Sequence, residues 1–254
     1  MLDSRLQRIA ISPSQLQNQQ ILLTPQQQHY LSRVLRLGKG ENFIAMNGQG
    51  EWWLAKLEGE QAEIIESINI ETELPIAVNL IVALPKGNGF DEVVRQTTAL
   101  GVTCIIPVIS DRTLLNPSPQ KLERWRRIAT EAAEQSERQI VPTILDPIPF
   151  PTALSLSPTS NNAEFPIPHS KYICVPRDNH PHLLNSLLSS PHSTITIAIG
   201  PEGGWTPTEV ELAYSASFQP VSLGRRILTT ALAPTVALSM LAAALEMGNI
   251  KSEA

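Results

Sequence analysis

Three glycine-bearing segments in this sequence carry residue types that could hold a small ligand. Each follows an apolar, strand-like run and precedes a helical pattern: LPKGNGFDEV (84–93), IGPEGGWTPTEVE (199–211) and LGRRILTTALAP (223–234). Glycine lets backbone amides and carbonyls approach a ligand closely, because no side chain stands in the way. Loops that join a strand to a helix meet at the carboxyl edge of a parallel sheet, where ligands bind. We therefore predict a cleft at this edge, although the residues alone leave a structural tight turn equally open at GPEGG.

The loop GPEGG lacks the features of a phosphate-binding loop. It matches neither G-x-x-x-x-G-K-[ST] nor G-x-G-x-x-G. Glu202 lies in its middle, where the carboxylate would repel a phosphate. Thr206, Pro207 and Glu209 predict a capping box at the start of the next helix, and this box would use amide groups that a phosphate needs. The pattern therefore favours a neutral or cationic ligand.

Positive charge is concentrated in two segments of an acidic chain. The net charge of the 254 residues is −5, which argues against a wholly basic nucleic-acid binder. Residues 1–40 nevertheless hold five arginines and lysines against one aspartate, and residues 112–138 hold six against four glutamates. Such patches suit a protein that touches RNA in one place, while a solvated helix face explains the second patch equally well. Arg225 and Arg226 could bind RNA phosphate or a carboxylate, with solvent exposure as the alternative.

Metal, disulfide and membrane chemistry are not expected. His180 and His182 have no further ligands at metal-binding spacing. Cys104 and Cys174 lie in apolar runs, which predicts buried, reduced thiols in a cytosolic protein. The N-terminus lacks the pattern of a signal peptide. Residues 227–245 carry no charge, but their threonines and proline favour a buried helix of a soluble protein over a membrane span. We therefore expect a cytoplasmic protein with no membrane or metal partner.

The pattern of the sequence changes near residue 72, which predicts two domains. The first part has one helical stretch, 25–37, among short strand-like runs at 8–12, 40–48, 51–59 and 62–70. This pattern is typical of a small barrel. Residues 71–75 predict a linker. From Ile76 onwards strands and helices alternate, which predicts an α/β domain with a mostly parallel sheet covered on both faces. The six prolines in residues 146–170 predict a long surface connection.

Several motifs resemble those of the RsmE family, the small-subunit ribosomal RNA uridine-N3 methyltransferases of the SPOUT superfamily. They are IGPEGGWTPTEVE, LGRRILTTALAP, LPKGNGFDEVVRQTTALGVTCIIPV and KLERWRRIATEAAEQS. The similarity covers nearly the whole chain, including the RLQRIAI start and HYLSRVLRLGKGENF. GPEGG followed at this distance by LG-x-RIL is specific for that family, whereas GPEGG alone is a weaker signal.

The resemblance implies a fold, a cofactor and a substrate. Residues 73–254 would form a trefoil-knotted SPOUT α/β methyltransferase domain, and residues 1–72 a PUA-like β-barrel that helps to bind ribosomal RNA. The protein would be a homodimer that binds S-adenosyl-L-methionine in the knot and methylates N3 of a uridine in 16S ribosomal RNA of the small ribosomal subunit. Residues at matching positions would surround the cofactor: Leu84, Gly200, Pro201, Glu202, Gly203, Gly204, Leu223, Gly224, Ile227 and Leu228.

The resemblance also suggests roles for basic residues. N3 of uridine carries a proton and is a poor nucleophile, so a base or a cation that stabilises the uracil anion must help. No well-placed histidine is present in the sequence, and we predict that Arg226 acts in this way, with Arg8 of the partner subunit as a second catalytic candidate. Contacts to RNA are predicted for six residues: Arg5, Arg8, Arg33, Arg36, Lys86 and Arg225.

The chain departs from the family motifs at four positions. Gln96 and Ala99 replace a lysine and a glutamate, and Thr229 and Ala231 replace an arginine and a glutamate. Two acidic and two basic groups are absent together, which suggests paired positions that changed jointly. Two alternatives therefore stay open: a SPOUT methyltransferase for another RNA position, and a catalytically weak RNA-binding protein of ribosome assembly.

Overall fold

The chain forms two compact units. The computed structural model describes residues 6–113, 117–156, 169–176, 179–189 and 193–250, with side chains up to residue 247. The first unit consists of the residues up to Glu73 together with Thr130–Val141, and the second of Leu74–Ala129 and the residues from Pro142 onwards. The functional boundary drawn from the sequence at residue 72 stays a prediction.

The first unit is built on a six-stranded sheet. Its strands are β1 (Arg8–Ala10), β2 (Leu16–Gln17), β3 (Gln20–Leu22), β4 (Asn42–Met46), β5 (Trp52–Leu57) and β6 (Gln61–Ile68). The strand order is β1-β4-β5-β6-β3-β2, with β1 and β4 parallel and the other pairs antiparallel. Helix α1 (Pro25–His29) continues into one π-helical turn, Tyr30–Val34. The short strands and the helix therefore lie where the sequence predicts them, and β2 and β3 are additional.

Strand β4 explains why residues 130–141 belong to the first unit. Successive side chains of a strand point to opposite faces. Phe43 and Ala45 pack into one buried cluster, and Ile44 and Met46 into another that also contains Ala133. Both faces of β4 are thus apolar, and a segment distant in sequence covers the second.

The predicted linker is held by a buried ion pair within the first unit. Arg138 is 3% exposed and binds the carboxylate of Glu73, which also accepts a hydrogen bond from the backbone N–H of Ile140 at 3.1 Å. A buried charge must be paired, because desolvation otherwise disfavours it strongly. The boundary between the two units falls within the predicted linker, after Glu73, and this residue anchors the segment to the first unit.

The second unit is a parallel sheet with helices. Its strands are β7 (Ala77–Ala83), β8 (Cys104–Ile109), β9 (Thr143–Ile144), β10 (Ile148–Pro149), β11 (His169–Cys174), β12 (Thr194–Ile199) and β13 (Gln219–Val221). Its helices are α2 (Gly89–Ala99), α3 (Pro119–Gln135), α4 (Phe150–Leu154), α5 (Leu183–Leu188), α6 (Pro207–Ser215) and α7 (Ala233–Ile250), and α3 runs on into the first unit. The predicted α/β class with a parallel sheet is confirmed.

The strands of this sheet do not follow the order of the chain. They are arranged β10-β8-β7-β12-β11-β13, with β9 beside β8, and every pair is parallel. The central strands are almost entirely buried, as expected for a sheet covered on both faces. Because β11, β12 and β13 are neighbours and parallel, the loops that follow them leave the sheet at the same edge.

The uncharged stretch 227–245 is only partly helical. Helix α7 begins at Ala233, and the preceding residues form a loop. Along the described parts of the chain, no helix combines the length and the apolar character that a bilayer span requires.

Helix α3 is fastened to α2 by a buried carboxylate. Asp91 is 7% exposed and accepts hydrogen bonds from Nε1 of Trp125 at 3.0 Å and from Nε of Arg124 at 2.9 Å. The rings of Phe90 and Trp125 are 4.3 Å apart between centroids. These contacts hold the first half of α3 against the start of α2, next to the loop that follows β7.

A pH-dependent contact lies near the amino end of the sheet. Nε2 of His169 is 2.9 Å from Oγ1 of Thr196, and burial, with a smaller effect from the charge of Lys171, lowers the pKa of His169. The folded state therefore disfavours the protonated ring. The neutral ring of His169 contributes its full stabilisation above the pKa that this histidine has in the unfolded chain. The stabilisation is lost as the pH falls from that value towards the lower pKa of His169 in the folded state.

We accordingly expect the wild type to lose more stability than His169→Gln between pH 7 and pH 5, roughly the range in which an unperturbed histidine titrates. Urea unfolding at a series of pH values measures the difference. Parallel pH profiles of the two proteins would contradict it.

Candidate functional site

Three loops at the carboxyl edge of the parallel sheet form a partly open pocket with a cavity volume of about 90 Å³. They follow β11, β12 and β13, at the edge where parallel sheets bind ligands. The pocket is lined by Cys174, Val175, Pro176, Ile199, Gly200, Pro201, Glu202, Gly204, Trp205, Leu223, Gly224, Arg226, Ile227, Leu228, Thr230 and Ala233. The predicted cleft at this edge therefore exists, and GPEGG is part of a pocket as well as a turn.

The loop after β12 is shaped by a buried indole. A side chain at Gly200 would place its Cβ 3.1 Å from the ring of Trp205, which is 8% exposed. Trp205 in turn stacks on Phe150 with 4.1 Å between the ring centroids. Gly204 has φ +71° and donates to the carbonyl of Pro201 at 2.8 Å, which closes the turn. The loop can therefore pass close to the indole only because Gly200 has no side chain.

Contacts from three distant segments hold this loop. The carboxylate of Glu202 accepts a hydrogen bond from the backbone N–H of Lys86 at 3.0 Å. The guanidinium of Arg112 donates to the carbonyl of Gly203, and Oγ1 of Thr230 donates to the carbonyl of Gly200 at 3.1 Å. Glu202, which would repel a phosphate, thus has a structural contact that ties the loop to the segment after β7.

The capping box predicted at the start of α6 is confirmed. Oγ1 of Thr206 accepts from the backbone N–H of Glu209, and the carboxylate of Glu209 accepts from the N–H of Thr206 at 2.8 Å. Glu209 is 3% exposed and also accepts from the N–H of Asp111 at 2.9 Å. A negative charge thus already occupies this helix start, which supports the argument against a phosphate site.

The loop after β13 brings a cation to the pocket. Gly224 has φ +114°, a conformation that residues with a side chain rarely adopt. The next residues, Arg225, Arg226 and Ile227, are exposed, and Arg226 and Ile227 line the pocket. Among the described residues that line the pocket, Glu202 contributes the carboxylate and Arg226 contributes the positively charged side chain.

The thiol of Cys174, which lines the pocket, is not in a nucleophilic form. Burial raises the pKa of Cys174 to about 12, so the thiol is protonated at neutral pH. A thiolate is the nucleophilic form of cysteine. Cys174 is therefore an apolar wall of the pocket. The predicted burial holds for Cys174, whereas Cys104 is only half-buried.

Most residues predicted to bind the cofactor lie together in this pocket, and two do not line it. Leu84 is buried, 1% exposed, and Gly203 faces Arg112. The sequence reasoning missed the wall formed by Cys174, Val175, Pro176, Ile199, Trp205, Thr230 and Ala233. The strand-like run that ends at Cys174 was a usable signal, but its place beside β12 depends on the strand order.

The residues predicted to bind RNA are distributed over both units. Arg33 and Arg36 are exposed in the first unit, and Lys86 and Arg225 in the second, whereas Arg5 lies outside the described residues. Arg8 has an internal environment: it forms an ion pair with Glu137 at 2.9 Å, and its side chain is 12% exposed.

The guanidinium of Arg8 also lies over the ring of Trp52, 5.6 Å from its centroid. These contacts within the first unit use the charge that RNA or uracil would need. They count against Arg8 as a catalytic or phosphate-binding residue, and its predicted roles remain untested.

The four departures from the family motifs occupy different environments. Oγ1 of Thr235 contacts Oε1 of Gln96 at 2.6 Å, which links α2 and α7. Ala231 lies next to Gly89 at the start of α2, since its Cβ would be 3.5 Å from a Cβ added at Gly89. Ala99 and Thr229 are exposed. The joint loss of two ion pairs stays a prediction.

The described residues contain no group of three or more histidine, cysteine, aspartate or glutamate side chains placed to hold a metal ion. The pocket has the features that a cationic sulfonium cofactor requires: apolar walls, backbone groups made accessible by glycine, and the carboxylate of Glu202. Arg226 offers a partner for a carboxylate.

Comparisons with known proteins match both units. A profile described as RNA methyltransferase domain matches residues 72–242, and one described as RNA methyltransferase PUA domain matches residues 23–67. The chain is 44% identical to "Ribosomal RNA small subunit methyltransferase E" of Synechocystis sp., over 94% of this chain and 78% of that protein. It is 30% identical to the protein of the same name from Bacillus subtilis, over 85% and 87%.

Solved structures are similar over nearly the whole chain. A ribosomal RNA small subunit methyltransferase E from Neisseria gonorrhoeae, bound to S-adenosyl methionine, superposes with a TM-score of 0.81 and 32% identity. The match covers 92% of this chain and 96% of that one. A Legionella pneumophila protein in complex with the same cofactor has a TM-score of 0.81 and 28% identity, over 94% and 98%.

Proposed function

Because this chain belongs to the family of small-subunit ribosomal RNA methyltransferase E proteins, we propose that it methylates N3 of a uridine in 16S ribosomal RNA with S-adenosylmethionine. The observation that carries the proposal is the pocket at the carboxyl edge of the parallel sheet, whose glycine loops and charges suit a sulfonium and not a phosphate. Relatives of the same architecture bind this cofactor.

The cofactor supplies a methyl group on a positively charged sulfur, ready for in-line displacement. The residues of this chain supply position and charge. Glycine backbone after β12 and β13, with Leu223 and Leu228, holds the cofactor, and Glu202 places a negative charge in the pocket. Arg226 at the rim stabilises the negative charge that develops on the uracil as N3 loses its proton.

The proposal also covers RNA contacts, the oligomeric state and the place of action. The exposed cations Arg33, Arg36, Lys86 and Arg225 contact RNA phosphates, and the first unit contributes to this grip as a PUA-like domain. The enzyme acts as a homodimer in the cytoplasm, where the small ribosomal subunit is available, and its second unit contains the trefoil knot. Arg8 serves to order the first unit through Glu137 and Trp52.

Nucleoside analysis of ribosomal RNA from a deletion strain tests the proposed function. We expect 3-methyluridine to disappear from small-subunit RNA and to return when the gene is restored. Loss of a different modified nucleoside would indicate another RNA position. An unchanged nucleoside profile would instead support an RNA-binding role in ribosome assembly.

A further inference from the structure

The loop after β7 connects the pocket to the first turns of α3. The backbone N–H of Lys86 donates to the carboxylate of Glu202 in the pocket lining. On the other side of the same loop, Nζ of Lys121 donates to the carbonyl of Gly87 at 3.0 Å. Lys86 in the loop is exposed, and the half-buried Lys121 on α3 contacts the neighbouring residue of that loop.

Two further basic residues lie on the same side of α3 as Lys121. Residues three apart on a helix are neighbours on its surface. Lys121, Arg124 and Arg127 have this spacing, and an open groove lies beside them, lined by Pro119, Gln120, Glu123, Arg124 and Arg127. Arg124 pairs with Asp91 at 2.7 Å but leaves 55% of its side chain exposed.

Lys121 retains most of its capacity to bind an anion. An ammonium group has three donors, and the contact with Gly87 is the hydrogen bond of Lys121 that the described residues show. No carboxylate among the described residues forms an ion pair with Lys86 or Lys121. RNA phosphates are the anions that the proposed substrate brings there.

We propose that Lys86, Lys121 and the exposed part of Arg124 form a phosphate-binding track for the RNA strand that flanks the target nucleotide. This inference rests on the proposed function. Lys121 holds the loop through Gly87 and binds a backbone phosphate with its remaining donors. The track contacts phosphate and not bases, so it positions the strand without selecting its sequence.

Arg126 provides a matched control on the same helix. It lies five positions after Lys121, which places the two side chains about 140° apart around the helix. Its guanidinium binds Glu123 and also Asp146 at 2.8 Å. The charge of Arg126 is therefore engaged by two carboxylates.

The test is the salt dependence of binding to full-length small-subunit ribosomal RNA, measured by filter retention. For Lys121→Ala we expect the slope of log K against log salt to fall by about one. The loss of affinity between about 50 and 200 mM salt then becomes roughly threefold smaller than in the wild type. Lys121→Arg should restore the slope, and Arg126→Gln should leave it unchanged.

Two outcomes would overturn the track. An unchanged slope in Lys121→Ala, with weaker S-adenosylmethionine binding, would show that Lys121 only supports the loop. Equal losses in Lys121→Ala and Arg126→Gln would show a general effect of charge.

Methyl transfer by the wild type, assayed on the same RNA and on small subunits from a deletion strain, tests the proposed function separately. If the wild type transfers methyl groups but the salt slope of Lys121→Ala is unchanged, the track alone is refuted. If the slope of Lys121→Ala is reduced but the wild type transfers no methyl groups, the function alone is refuted. A wild type that does not bind the RNA would refute both.

Discussion

Replacing Arg226 with alanine is expected to lower the rate of methyl transfer by about 10²–10³-fold, which is the usual cost of removing one donor that stabilises a developing anion. Arg226 is the cation among the described residues that line the pocket, and its side chain is exposed at the rim. In the proposed mechanism, the charge of Arg226 acts when N3 of uracil loses a proton. We therefore expect the rate of the chemical step to fall much more than the affinity for RNA or cofactor.

Single-turnover transfer of labelled methyl groups to unmethylated small subunits measures this effect. Arg225→Ala is the matched control, because Arg225 is the adjacent exposed arginine but does not line the pocket. Arg225→Ala should weaken RNA binding, and at saturating RNA its rate of methyl transfer should stay near that of the wild type. A normal rate in Arg226→Ala would remove the proposed role.

Replacing Gly200 with valine is expected to weaken S-adenosylmethionine binding by about tenfold to hundredfold. The new Cβ would lie 3.1 Å from the ring of Trp205, and the two methyl groups of valine increase the crowding. Overpacking of this kind costs about 1–3 kcal/mol. Since Trp205 is stacked on Phe150, the strain displaces either the indole or the loop, and both line the cofactor pocket.

Isothermal titration with S-adenosylmethionine measures the loss, and urea unfolding of the same variant separates it from global destabilisation. Gly38→Ala is the control: Gly38 is exposed in the first unit, and a Cβ there would meet only the flexible carboxylate of Glu41, at 3.4 Å. Wild-type affinity in Gly200→Val would mean that the contact between Gly200 and Trp205 does not shape the pocket.

The features that the sequence predicts correctly depend on residues close together in the chain. The capping box of Thr206 and Glu209 is complete within four residues, and the alternation of strands and helices appears in windows of about ten. The glycine loops are also local signals, because a turn with positive φ needs its glycine at a definite position, as at Gly204 and Gly224. Family motifs then indicate the cofactor that we propose for these loops.

The features that the sequence does not predict depend on contacts across long separations. Arg112 and Lys86 reach the loop at Gly203 and Glu202 from about 90 and 116 residues away. Ala133 covers β4, and Arg138 anchors Glu73 from 65 residues away. Arg8 has the charge of an RNA contact in the sequence, but Glu137 and Trp52 give it an internal partner in the structure.

The sequence by itself predicted the class of the fold, the loops that form the pocket and the argument against a phosphate, because backbone preference and charge act locally. The tertiary structure alone decided which strand ends become neighbours. By placing β12 between β7 and β11, it put Cys174, Val175 and Pro176 into the pocket wall and Trp205 beneath Gly200. Strand order is set by the burial of whole sheet faces, and no short stretch of sequence contains that information.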